Sequence, residues 1–321
     1  MNQLNQSQLM LKQLPVLLKR EFWEHKVAFF YVPIIISLLS IGIVILSALS
    51  TPFVKMSIDY EDQSKGESSH TVIESSGDTT LSEFVGPQLL EFSQRSFTYR
   101  EDIFEKFYTG SSFILITTLW FVVFFYLQGA LYEDRKDRSI LFWKSLPVSD
   151  GLTVASKLLT ALIVVPLLYF VFIALTQVAF LVVASVVALT NGVEVWATLW
   201  APAHLVSRWV SMLAFFLFTA LWCLPFYTWI LFVSSWVKSV PFAWILGIPL
   251  ALVTLEAMLF SRSEYIRQFF AQHTVSFQEL RRGFSGFSPS DVLSLEMLLA
   301  LALGMVFIVL TIWKRGHANE V

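Results

Sequence analysis

One cysteine, Cys223, stands in a chain of 321 residues, and charged side chains make up only 14% of it. A single cysteine excludes an intramolecular disulfide and a thiolate-held metal cluster, and this one lies inside an apolar run. The 22 Lys and Arg balance 24 Asp and Glu to a formal net charge of −2. That leaves none of the basic excess on which nucleic-acid binding draws, so no nucleic-acid partner is expected. His25, His70, His204, His273 and His317 are scattered without HExxH or close carboxylate spacing, and no metal site is predicted. A phosphate loop is missing as well. Gly151-Leu152-Thr153-Val154-Ala155-Ser156-Lys157-Leu158 has its outline, but Ser156 replaces the second glycine and Leu158 replaces the hydroxyl residue that holds magnesium. No enzymatic constellation is expected in this chain.

Apolar residues are abundant. They make up 56% of the chain, with 30 Phe, 11 Trp and 9 Tyr, and the mean hydropathy is +0.66. A water-soluble fold of this length has no interior large enough for that surface, so lipid is the main solvent. A bilayer core of about 30 Å takes about 20 apolar residues in helix, because a helix satisfies its own backbone in lipid. Six stretches qualify, over 27–49, 112–132, 154–189, 206–236, 241–260 and 292–313. The fold class predicted is all-α and polytopic, with six transmembrane helices. Pro166 and Pro225 predict kinks or tilt in the long third and fourth spans.

An even number of spans puts both termini on one side. The segments on that side hold 12 basic residues in 63, against 10 in 114 on the other. The denser set is assigned to the cytoplasm. Residues 1–26 read as an interfacial elbow helix, in which Leu14, Leu17, Leu18, Phe22 and Trp23 share a face while Lys12, Lys19, Arg20, Glu21 and Lys26 stay wet. The outer loop 50–111 has 5 basic and 11 acidic residues; a polar first half precedes a second half patterned as short amphipathic helices. A second outer segment, 261–291, carries four arginines and the run Gly283-Phe284-Ser285-Gly286-Phe287.

Between spans two and three, the cytoplasmic loop 133–153 opens on Tyr132-Glu133-Asp134-Arg135-Lys136-Asp137-Arg138 and continues as Ser139-Ile140-Leu141-Phe142-Trp143-Lys144-Ser145-Leu146-Pro147-Val148-Ser149-Asp150. Asp134 or Asp137 suits the free amides of a first turn, Ile140 to Trp143 form an apolar cluster, and Leu146-Pro147 ends the helix. Ser149 and Asp150 cap the next one. On composition alone this is an amphipathic interfacial helix.

The order of these residues resembles the cytoplasmic loop of ABC-2 type transporter permeases: a mixed-charge run, an apolar helix, and a Ser-x-Pro-Val-Ser ending, here Ser145-Leu146-Pro147-Val148-Ser149. The layout is similar to that family too, with an elbow, six spans and a large first outer loop. The residue matches are confined to about 25 positions of 133–157. The resemblance implies a bacterial inner-membrane exporter subunit that works with a second permease copy or homologue. It also implies that ATP and magnesium belong to a separate ABC ATPase subunit. On that reading 133–147 is a coupling helix that docks into the ATPase, with Leu141 on its apolar face, Phe142 and Trp143 as its anchors, Pro147 ending it, and Asp137, Arg138 and Lys144 setting register. Membrane lipid is the remaining partner. The alternative reading is an integral membrane enzyme or signalling protein, for which the spans carry no set of catalytic groups at one depth.

Glu256 is the one carboxylate well inside a span, within reach of the interface or of Arg262, and is a candidate for a substrate path. Trp222, Trp229 and Trp236 recur every seven residues in the fourth span, which places them on nearly the same helix face as a packing or lipid-facing stripe or, as the sharper alternative, a path lining.

Overall fold

A computed structural model describes residues 3–49, 81–140, 145, 148–259, 267–268 and 295–317. Among them all regular structure is helical: α1 (Gln3–Glu24), α2 (Val32–Leu49), α3 (Leu81–Gln94), α4 (Phe97–Ala130), α5 (Tyr132–Lys136), α6 (Asp150–Leu159), α7 (Val165–Thr190), α8 (Leu205–Trp222), α9 (Leu224–Trp236), α10 (Pro241–Leu259) and α11 (Leu295–Gly316). Six helical stretches are long and apolar enough to cross a bilayer: Val27–Leu46, Phe97–Lys136, Asp150–Thr190, Trp196–Trp222, Pro241–Leu259 and Met297–Gly316. The chain is an all-α, multi-pass membrane protein. The second helix starts fifteen residues before the apolar run at 112, because its first four turns are amphipathic and still helical. Residues 50–80 and 269–294 lie outside the described residues, and with them most of the segment 261–291.

The chain divides into two units. The first takes residues 1–35, 112–173 and 206–321, and the second takes 36–111 and 174–205. The second has a core of its own, where Phe104 and Tyr108 of α4 meet Leu181 and Ala188 of α7 and Val193, Leu199 and Ala203 beyond it. Its rim holds a polar contact, His204 Nε2 to Glu101 Oε1 at 3.3 Å, with Phe97 edge-on to the imidazole.

Three of the helical stretches are widened by a π-turn, at Val27–Tyr31, Thr160–Val164 and Trp196–Trp200. In each case proline follows two residues later, at Pro33, Pro166 and Pro202. Proline has no N–H and its ring clashes with the carbonyl four residues back, and a turn wound one residue wider moves that carbonyl away. The widening strands an acceptor. Val32 N–H goes to Val27 O, so the Ala28 carbonyl has lost its α-helical donor, and the next donor along would be Pro33. The Tyr169 hydroxyl fills the gap, donating to Ala28 O at 3.2 Å from a side chain with no exposed surface. Tyr169→Phe should therefore cost about 1–3 kcal/mol, the penalty of an orphaned buried acceptor. Thermal unfolding of the purified chain in detergent checks this, and an unchanged midpoint would refute it.

The fourth apolar stretch, expected as one span over 206–236, is two helices separated at Cys223, whose backbone leaves the α region (φ −87°, ψ 3°) one residue before Leu224-Pro225 start α9. Two α-helical bonds bracket the break, Cys223 N–H to Thr219 O at 2.9 Å and Tyr227 N–H to Cys223 O at 3.0 Å. Gly304 of α11 lies against this point. A Cβ there would stand 3.2 Å from Leu224 Cγ and Cδ2 and 3.6 Å from the Pro225 nitrogen. A glycine lets the last span approach this closely without displacing the Leu224 side chain.

Candidate functional site

The densest polar feature of the first unit is a chain of buried ion pairs. Lys157 of α6 is 2% exposed, and its Nζ lies 3.3 Å from Glu21 Oε1 and 3.5 Å from Asp134 Oδ2. Glu21 of α1 is fully buried and also receives Arg20 and the Tyr126 hydroxyl, the latter at 2.9 Å. The same Asp134 oxygen meets Arg315 Nη1 of α11 at 3.4 Å, and Arg315 Nε meets Asp150 Oδ1 at 3.0 Å. Three carboxylates thus face three cations, Arg20, Lys157 and Arg315. Such balance is what lets charges stay buried, since an uncompensated one costs several kcal/mol. Burial works to raise the Glu21 carboxyl, but Lys157, Arg20, the Tyr126 hydroxyl and His25 outweigh it, and its pKa falls below the ordinary 4.5.

The segment that follows α4 is fixed on its other side by backbone chemistry. Ser234 Oγ accepts from both Leu131 N–H (3.1 Å) and Tyr132 N–H (3.0 Å), the amides left over between α4 and α5. Arg135 Nη2 donates to Ser234 O (2.9 Å) and Val237 O (2.7 Å), closing the carbonyl end of α9, where a cation is also favoured by the helix dipole. At the far foot, Ser149 accepts Leu152 N–H at 3.2 Å and caps α6.

These contacts bring the N-terminal helix, both feet of the segment between spans two and three, and the end of the last span to one end of the unit. Glu21 of α1 and Arg315 of α11 therefore lie at the same end of the unit. Of the residues singled out in the segment, Asp137 and Arg138 are exposed, and Arg138 takes a left-handed backbone (φ 58°). Leu141, Phe142, Trp143, Lys144 and Pro147 lie outside the described residues. Asp134 turns to Lys157 and Arg315 instead of to the free amides of its own helix. In α1, Leu17 is buried as expected, but Glu21 is inside and Trp23 is 58% exposed. That corrects the wet and apolar faces read for residues 1–26: Lys157 and Tyr126 give Glu21 partners that outweigh its hydration. Gly151–Leu158 is continuous helix, and its Lys157 is committed to carboxylates.

Glu256 is buried, and its Oε2 accepts the Arg267 amide at 3.3 Å; Arg262 lies outside the described residues. Trp222 stacks on Phe218 at 5.4 Å within α8. Trp229 belongs to α9, where its Nε1 donates to Ile245 O at 3.2 Å and its ring meets Phe307 at 5.3 Å. The break at Cys223 separates Trp222 from the other two tryptophans, so the seven-residue spacing does not make one stripe. Leu119, Trp120, Ala161, Phe216, Thr219 and Tyr227 line a cleft between α4, α7, α8 and α9 with room for about one water molecule. Glu21, Glu24 and His25 bring one ligand atom each within 4.8 Å of the others, but the Glu21 carboxylate is already neutralised by Lys157 and Arg20.

Sequence reasoning missed Glu21, Asp134, Lys157 and Arg315 as one cluster. The available signal was weak: a glutamate four residues after Leu17, and a lysine seven residues into an apolar helix. Comparison with protein-family models, curated proteins and solved structures returns no match.

Proposed function

We propose that the chain is the membrane subunit of an ABC-2 type transporter, in a bacterial inner membrane, driven by a separate ATPase and working as an exporter beside a second permease copy or homologue. The observation that carries this reading is the footing of the segment between spans two and three. Its first residues are pinned to α9 by Arg135 and Ser234 and to α6 and α11 by Asp134, and it presents Asp137 and Arg138 to solvent. A force applied to a segment so anchored reaches the spans. The family-like order Ser145-Leu146-Pro147-Val148-Ser149 supports the same reading. Both termini are placed in the cytoplasm, on the side richer in Lys and Arg.

Co-expression with a candidate ABC-type ATPase subunit, sought among the neighbouring genes, tests it. Wild type is expected to retain the ATPase through purification, and Phe142→Asp or Trp143→Asp to lose most of it, because a charge at a buried anchor typically removes 2 kcal/mol or more, about 30-fold in affinity. A wild-type chain that never retains an ATPase would favour a membrane enzyme or signalling protein instead.

A further inference from the structure

We infer that Arg315 is a positioning residue that clamps the two feet of the segment between spans two and three from the end of the last span. Asp134 stands at the start of that segment and Asp150 at its close, and one guanidinium reaches both, through Nη1 at 3.4 Å and Nε at 3.0 Å. Arg315 is 3% exposed, so water screens the pair little. The planar guanidinium offers donors in two fixed directions at once, which a lysine ammonium does not.

Each foot has a second reason to stay where Arg315 holds it. Asp134 Oδ2 is also 3.5 Å from Lys157, which keeps the carboxylate from turning outward. Asp150 is the first residue of α6, where a carboxylate complements the helix dipole. The end of α11 lies close to α6: a Cβ at Gly316 would make an ordinary 3.7 Å contact with the other Asp150 oxygen. Bringing the ends of a segment this long together costs chain entropy, and the clamp offsets that cost with two charge-assisted bonds. Asp150 is a third exposed, so its half of the clamp is the weaker and opens first.

The mechanical consequence rests on the transporter reading above. With both feet tied to one guanidinium, a movement of Asp134 or Asp150 is shared between them, and Arg315 delivers it to the sixth span as well as to the third. The clamp itself is testable without an ATPase.

Amide hydrogen exchange on the full chain in lipid nanodiscs reads it directly. Arg315→Gln is expected to speed exchange over residues 134–140 and 148–152 about tenfold, the loss of a bond to a charged group, while α8 and α10 keep their wild-type rates. Arg315→Lys should restore protection at one foot only. Asp150→Asn, at a partly exposed position where folding is not at risk, should loosen residues 148–152 and spare 134–138. Unchanged exchange in Arg315→Gln, or full protection by lysine, overturns the clamp. Faster exchange confined to the segment in a chain that binds no ATPase supports the clamp and leaves only the transporter reading to fall.

Discussion

Replacing Lys157 by methionine should lower the thermal midpoint of the purified chain by about 10 °C, the largest loss expected from any single substitution in the first unit. The reason is what stays behind. Glu21 has no exposed surface and Asp134 very little, and the ammonium between them at 3.3 and 3.5 Å is their common partner. Removing one member of a buried pair costs about 3–5 kcal/mol, whereas replacing both members by apolar groups is often neutral. The double variant Glu21→Leu with Lys157→Met is therefore expected to recover at least half of the lost stability. If the single and double variants unfold together, the pair is not energetically coupled. Acid should act on the same contact. The Glu21 pKa is depressed in the folded protein, so its contribution is complete above 4.5 and is lost as pH falls through the lower, folded value. The Glu21→Gln variant should lack that acid-labile part.

Gly304→Leu should be nearly as damaging, through volume instead of charge. A Cβ at this position already meets Leu224 Cγ and Cδ2 at 3.2 Å, with the Pro225 nitrogen behind them at 3.6 Å. Alanine forces Leu224 to shift its flexible end and should cost about 1 kcal/mol. Leucine has nowhere to go without separating α11 from the start of α9, at about 3 kcal/mol or more. The damage should show as a lower thermal midpoint and a reduced folded yield in detergent. A Gly304→Leu chain with the wild-type midpoint would mean that the two helices do not pack as described.

The six spans were legible because the signal for a bilayer-crossing helix is local: about 20 apolar residues in a row need no knowledge of the rest of the chain. The capping of α6 by Ser149 was local too. What defeated sequence reasoning was pairing at a distance. Glu21 looks like one more wet residue of an amphipathic helix until Lys157, 136 positions on, is folded against it. Asp134 reads as a helix-capping acid, and only the proximity of Lys157 and Arg315 turns it elsewhere. The tryptophan spacing failed for the opposite reason. Its arithmetic was sound for one helix, but Cys223 and Pro225 make two of the fourth stretch. The docking role proposed for Leu141 to Lys144 rests on the resemblance alone.

The π-turn at Val27–Tyr31 changes how the first span is to be mapped. Counted at 3.6 residues per turn from the buried Glu21, the inward face passes through Ala28 and Ile35. Yet Ile35 is 52% exposed, while Phe29 and Pro33 are buried. The wider turn has advanced the phase by one residue, about 100° of rotation. A helical wheel drawn straight through it assigns lipid and protein neighbours to the wrong positions from Phe29 onward. A lipid-contact probe for this span belongs at Ile35, and an internal one at Pro33.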